Sequence, residues 1–432
     1  MPRRNVYLLV FFSIACLACA AKVSPYGRVL SFAMDEIQHR SLQQIDREEL
    51  FQGALEGMMN RLDAYSAYMP PAVAAEFEEV MDQEFGGVGM EVLLDPDTEQ
   101  LTVASPLVGT PAYEAGIRAG DKILRIDGQS TQGLSLEDAV KRMRGKPGDP
   151  VMLTILHSDQ TEPEDVQIVR AVIQVETVLG DTREPDGTWS YFLEGHDRIG
   201  YLRINSFSEK TADELSSAVK WLTEQGMEAL ILDLRNNPGG LLDAAIDVCK
   251  LFVDSGAIVS IRQRDPERIM HTFSANGESA STGFPMAVLV NRYSASASEI
   301  VAACLQDHGR AAVVGERSYG KGTVQELINL QPGQGTLKLT TSSYWRPSDK
   351  NIHRHEGAGE DEDWGVSPDE GCEVKLDDEQ MTKLAVWRRN RDLAKVNGKK
   401  NSSGDDGTGA PYFDPQLAKA IERVQKSLEK QE

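Results

Sequence analysis

Two short segments hold the residue types that could carry covalent chemistry. Asn291–Ile300 reads NRYSASASEI and directly follows the apolar run MAVLVN. A serine at the start of a helix lies beside unpaired N–H groups that can stabilise a developing oxyanion. Ala295 and Ala297, on either side of Ser296, leave room for a polypeptide. The same residues also fit a plain helix cap, since Ser296 and Glu299 make S-x-x-E. The second segment, Gly315–Gln325, reads GERSYGKGTVQ. A serine hydroxyl needs a base, and a lysine serves when burial and its neighbours depress its pKa. Lys321 stands between Gly320 and Gly322, which let the backbone carry the side chain into a tight site. A solvated lysine in a glycine turn is the other reading.

Competing chemistries fit less well. Gly315–Gly322 approaches the phosphate loop G-x-x-x-x-G-K-[ST], but Gly322 replaces the magnesium-binding hydroxyl. TVQELINL follows as a strand pattern where a phosphate cradle needs a helix. Of the seven histidines, His308 ends the helix that Ser296 begins, about three turns away. His353 and His355 lack a third ligand for a metal. The net charge of −22 argues against a nucleic-acid partner, which needs clustered Lys and Arg.

The elements that must position these segments form a series of domains. The chain of 432 residues is too long for one core. Arg3 and Arg4, the apolar run from Val6 and Ala18-Cys19-Ala20 form an export leader over residues 1–20; a retained anchor is the alternative, and Cys16 and Cys19 raise a lipoprotein reading. An exported, periplasmic or cell-envelope location is expected, with membrane contact only if the leader is kept. Residues 24–84 carry a helical pattern (Leu42, Ile45, Leu50, Ala54, Leu55, Met58) that Pro70-Pro71 breaks. Residues 85–173 read as a small β-rich domain: MEVLL, QLTVAS, KILRIDG and VMLTIL, with the helix LSLEDAVKRMRG. Residues 174–394 alternate strand and helix, the pattern of an α/β domain with a largely parallel sheet. AIVSIR is one of its strands. Residues 395–412 are a polar linker expected to be disordered. Residues 413–432 return to a helix whose Leu417, Ile421 and Val424 are spaced to dock, and homo-oligomerisation is one use for that face. Without the leader Cys249, Cys304 and Cys372 remain; Cys249 and Cys304 are expected as small core residues.

The two motifs, with Ser296 and Lys321 25 residues apart, resemble those of the C-terminal processing peptidases, also called tail-specific proteases. The resemblance runs from about Val29 to Ser367 and returns at Asp414-Pro-Gln-Leu. It implies a ClpP/crotonase-like α/β catalytic core with an inserted PDZ domain and an N-terminal helical segment. It implies Ser296 as nucleophile, Lys321 as general base and Gln325 as the residue that orients the lysine. An oxyanion hole follows from N–H groups of Gly239 and Gly240, in the turn Arg235-Asn-Asn-Pro-Gly-Gly240, and of Ala297. Asp307 matches an acidic position and is assigned a structural role. Gly87-Val88-Gly89-Met90 resembles the carboxylate-binding loop of a PDZ domain, where a peptide tail adds as a strand. The expected partners are proteins or peptides with accessible C-terminal tails; no cofactor and no metal are expected. Ala64, Trp345 and Arg346 depart from the family pattern.

Overall fold

The protein is described here by a computed structural model covering residues 24–82, 84–95, 98–107, 109–184, 188–265, 268–277, 283–392 and 412–430. The leader and nearly all of the 395–412 linker lie outside those residues. Among the described residues no helix is long and apolar enough to cross a membrane. The chain divides into two compact units: residues up to Ala74 with Gln325–Thr340, and Ala75–Val324 with Thr341 onward.

In the smaller unit, helix Pro25–Arg40 buries no residue and helix Arg47–Met59 buries only Leu55. Leu42, expected on a helix face, is fully exposed between them. Strand Ala67–Met69 pairs antiparallel with Thr336–Lys338, Tyr68 opposite Leu337. The prolines do not end a helix. Met59 does that, and Pro71 opens the next one, Pro71–Asp82, where its missing N–H would have had no partner anyway.

The larger unit holds the parallel sheet. His196–Ile204, Ala229–Asp233, Met286–Val290 and Ala312–Gly315 lie side by side, all parallel. The two central strands are buried at every position, as expected for runs covered on both faces. Alternation divides their side chains. Leu230, Leu232, Val288 and Val290 pack with helices Thr211–Glu224, Leu242–Phe252 and Ala297–Asp307. Ala229, Ile231, Ala287 and Leu289 pack with Leu384, Trp387, Leu417, Ala420 and Val424, which belong to helices Asp378–Asp392 and Pro415–Leu428. The docking face of the tail helix is therefore used within the chain, and its pattern does not call for a second copy. Cys249 and Cys304 are buried in the first of these cores, and all three described cysteines are free.

One strand departs from the sequence expectation. Ser255–Arg262 does not join the parallel sheet but pairs antiparallel with Ile269–Asn276 and with Ser343–Trp345. The β-rich domain is a separate antiparallel sheet in the order Met90–Leu94, Leu101–Pro106, Lys122–Ile126, Pro150–Leu156, Glu164–Val169. Its core is Leu101, Val103, Ile123, Leu153 and Ile155, closed by Ala139 and Met143 of helix Leu136–Met143.

Candidate active site

Each half of the site grows from the carboxyl end of a parallel strand, where open α/β sheets place their ligands. After Ala229–Asp233 comes the turn 235–240; after Met286–Val290 comes the serine segment. The two turns are bonded to each other. Asn291 accepts the Asn236 N–H at Oδ1 (3.0 Å) and donates from Nδ2 to Asn236 Oδ1 (2.9 Å). The Asn237 carbonyl accepts the Ala295 N–H and the Ser298 hydroxyl, both at 3.0 Å.

The three serines of S-A-S-A-S then part company. Ser294 and Ser298 are fully buried. Ser294 donates its hydroxyl to the Leu234 carbonyl (2.8 Å), as Ser298 does to Asn237. Ser296 is the middle one, 8% exposed, at the start of helix Ala297–Asp307. The S-x-x-E capping box is present, yet the backbone of Ser296 is not that of a simple cap. Its φ is 56° and its ψ −114°, where a helix cap normally sits in the β region. A non-glycine residue held so costs on the order of 1–3 kcal/mol, and such residues cluster at active sites. Gly239 lies against it: a Cβ there would fall 2.8 Å from Ser296 Cβ at a φ of +105°. Only glycine fits.

Glu299 joins the two motifs. Its side chain is fully buried and accepts four hydrogen bonds. Oε2 takes the Ser296 N–H and the Lys321 N–H, each at 2.8 Å. The two backbone nitrogens thus cannot be farther apart than twice that distance. Oε1 takes the Ser318 hydroxyl (2.5 Å) and the Gly320 N–H (2.6 Å). Burial pushes the Glu299 carboxyl up to about 7, against the downward pull of those bonds. Lys321 is half-buried. Both flanking glycines are closely approached. A Cβ on Gly320 would meet Arg354 Cβ at 2.7 Å, and one on Gly322 the His353 nitrogen at 2.2 Å. Tyr344 completes this side, donating its N–H to the Gly322 carbonyl (2.8 Å).

Several expected residues behave differently. The Gly239 N–H is not open to an oxyanion: it donates to Asn237 Oδ1 at 2.8 Å. Asn–Asn–Pro–Gly closes as an Asx turn, in which the side chain takes the N–H two residues on. Ala297 N–H, at the first helical position, and Gly240 N–H have no partner among the described residues. Gln325 belongs to the smaller unit, where its Nε2 donates to Thr340 Oγ1 (3.3 Å) and Thr340 donates to Asp63 Oδ1 (3.0 Å). Asp307, at the far end of the serine helix, binds Arg346 through Nε (2.9 Å) and Nη2 (2.6 Å). Burial raises its carboxyl, but Arg346 and the Ser348 N–H outweigh this and hold it below the usual range. Sequence reasoning missed the bridging by Glu299, whose only signal was S-x-x-E.

In the β-rich domain Gly87, Val88, Gly89 and Met90 line a cleft of about 430 Å³, faced by Val140 and Met143 of the helix. The Val88 carbonyl accepts the Ala112 N–H (2.8 Å), and Gly89 accepts Leu107 N–H (3.0 Å) and Thr110 Oγ1 (2.7 Å). The N–H groups of Val88 and Gly89 keep no partner among the described residues. Among the described residues strand Met90–Leu94 pairs only with Leu101–Pro106, which leaves its other edge open to an added strand.

Among known proteins, the chain matches peptidase family S41 over residues 198–371 and a PDZ domain over residues 102–156. It is 38% identical over 374 residues to the carboxy-terminal-processing protease of Bartonella bacilliformis, spanning 86% of this chain and 80% of that protein. To the carboxyl-terminal-processing protease of a Synechocystis species it is 38% identical over 335 residues, 77% of this chain and 73% of that one. A solved structure described as an S41 protease from Bacteroides fragilis shares the fold, with a TM-score of 0.50 over 92% of this chain and 97% of that chain, at 17% identity. The mixed α/β fold with N-terminal helices, the paired motifs and these relatives place the chain in peptidase family S41, among the C-terminal processing proteases that carry a PDZ domain.

Proposed function

We propose that this chain is a serine endopeptidase that cuts substrates near their C-termini, with Ser296 as nucleophile and Lys321 as general base. The observation that carries the reading is the fate of the serine run. Two hydroxyls are committed to backbone carbonyls, and the middle serine sits strained beside the lysine segment through a shared Glu299 oxygen. In this reading the neutral Lys321 amine takes the Ser296 proton, and Oγ attacks the scissile carbonyl. The oxyanion meets the Ala297 and Gly240 N–H groups. Collapse releases the C-terminal piece as its amine takes the proton back from the Lys321 ammonium. Water, deprotonated by the same amine, then frees the acyl-serine. The cleft at Gly87–Met90 captures the tail, its carboxylate on the Val88 and Gly89 N–H groups. The leader expects this to happen outside the cytoplasm.

The test is mass spectrometry of peptides released from a tail-tagged protein by wild type, Ser296→Ala and Lys321→Ala. Both variants should fall by at least about a thousandfold, as removal of a nucleophile or its base does in other serine hydrolases. The intact mass of the wild-type chain reads in the same run whether residues 1–20 have gone. Cleavage by Ser296→Ala at the wild-type rate would sink the assignment; tail binding without cleavage by wild type would leave a binding module.

A further inference from the structure

The cleft at Gly87–Met90 has one wall that the β-rich domain does not supply. Arg389, on helix Asp378–Asp392, lines it together with Glu91, Val92 and Leu93. That helix is anchored through its other residues: Leu384 and Trp387 pack against the parallel sheet, and Arg388 and Arg391 are buried on Asp181. Arg389 itself is exposed. It also lines a neighbouring cavity of about 260 Å³, with Glu91, Arg203, Arg235 and Arg388. The other three arginines there each have a carboxylate: Asp392 for Arg203 (2.6 Å), Asp233 for Arg235 (2.6 Å) and Asp181 for Arg388 (3.4 Å). Arg389 forms no ion pair among the described residues.

Strand alternation says which part of a tail meets it. Met90, Val92 and Leu94 pack on the core of the β-rich domain, so Glu91 and Leu93 turn the other way. Arg389 accompanies Glu91 in both cavities and stands on that second face. A tail added along the free edge of Met90–Leu94 alternates likewise, and paired residues share a face. With the terminal side chain against Val140 and Met143, the penultimate one emerges beside Glu91 and Arg389. The charged groups lining the cleft are Glu91, Arg144 and Arg389. Two guanidiniums thus stand against one carboxylate, on a chain whose net charge is −22. Such a local reversal of sign favours an anionic partner. We propose that Arg389 is a specificity-determining residue: it pairs with an acidic side chain at the penultimate position of the substrate, so that the protein selects tails ending in Asp or Glu followed by an apolar residue. The proposal rests on the reading of the Gly87–Met90 cleft as the tail site. The flat guanidinium suits a carboxylate, which it can meet with two N–H donors.

The experiment is fluorescence anisotropy of labelled peptides on the full chain carrying Ser296→Ala, which leaves them uncut. Three peptides share an apolar terminal residue and differ only in a penultimate Glu, Gln or Lys; a fourth is the Glu peptide with an amidated end. The Glu tail should bind roughly threefold to tenfold tighter than the Gln tail, the range of a partly exposed ion pair, and the Lys tail weakest. Arg389→Gln should erase the preference for Glu and leave the affinity of the Gln tail unchanged. Arg389→Glu should reverse the order in favour of Lys, which a merely misfolded variant would not do. Equal weakening of the Glu and Gln tails by Arg389→Gln, or tightest binding of the Lys tail to the unaltered cleft, overturns the role of Arg389. The amidated peptide tests the underlying reading separately. If it binds as tightly as its free acid, capture of the terminal carboxylate fails while the Glu-to-Gln ratio still reports on Arg389, which keeps the two failures apart.

Discussion

At the residue scale the unusual group is Glu299, a carboxylate removed from water yet bonded to four donors. Its carboxyl titrates at about 7 in the folded chain against an ordinary value of 4.5. The folded state therefore holds a proton that the unfolded state has released between those values, and stability falls as pH rises across that window. Glu299→Gln removes the titration. It also turns an amide N–H toward backbone N–H groups, leaving buried donors unpaired at a cost of about 1–3 kcal/mol. Urea unfolding at pH 5 and pH 7 should show a less stable variant whose stability changes less between the two; equal slopes would contradict this account. S-x-x-E was legible as a capping box, and the box is there. What no local pattern carried is that the same carboxylate closes on Ser318, Gly320 and Lys321, contacts about twenty residues away that only the sheet brings together.

At the element scale the turn 235–240 depends on the tail helix. Arg235 is fully buried and binds Asp233 (Nη2, 2.6 Å), Asp414 (Nη2, 2.9 Å) and Gln416 (Nη1, 3.1 Å). Burial would weaken its charge, but Asp233 and Asp414 hold it well above its ordinary range. The Asp233 carboxyl, raised by burial, is held down by Arg235. Arg235→Ala would strand two buried carboxylates, a loss of about 3–5 kcal/mol. The denaturation midpoint should drop accordingly, and probe labelling of Ser296 should slow because the turn beside it loses its anchor. An unchanged midpoint would show that the tail helix is held by its apolar face alone. The strands and helices of this half were legible from apolar runs and period. The side of the sheet that the tail would cover was not, since Leu417, Ala420 and Val424 would suit any apolar surface. The hairpin Ser255–Arg262 with Ile269–Asn276 was half-read for a related reason: a short apolar run does not say which sheet it joins.

At the scale of the whole molecule one chain holds both the cleft at Gly87–Met90 and the paired turns around Ser296. If the groove reads a free carboxylate, a substrate with an amidated C-terminus loses the bonds to Val88 and Gly89 N–H. KM should then rise roughly tenfold or more while kcat holds. Steady-state cleavage of paired acid and amide peptides measures it, and equal KM values would exclude carboxylate recognition. The sequence pattern changes period at Phe85–Met90 and again near Arg198. The Glu299 bridge also bears on when a newly made copy becomes dangerous. The strained Ser296 donates its backbone N–H to Glu299, which takes two of its other donors from Gly320 and Lys321, more than twenty residues farther on. A chain still emerging from the ribosome has the serine and lacks that bridge. With Ser296 as the proposed nucleophile, activity arrives together with the finished fold, and a half-made copy passes its neighbours without cutting them.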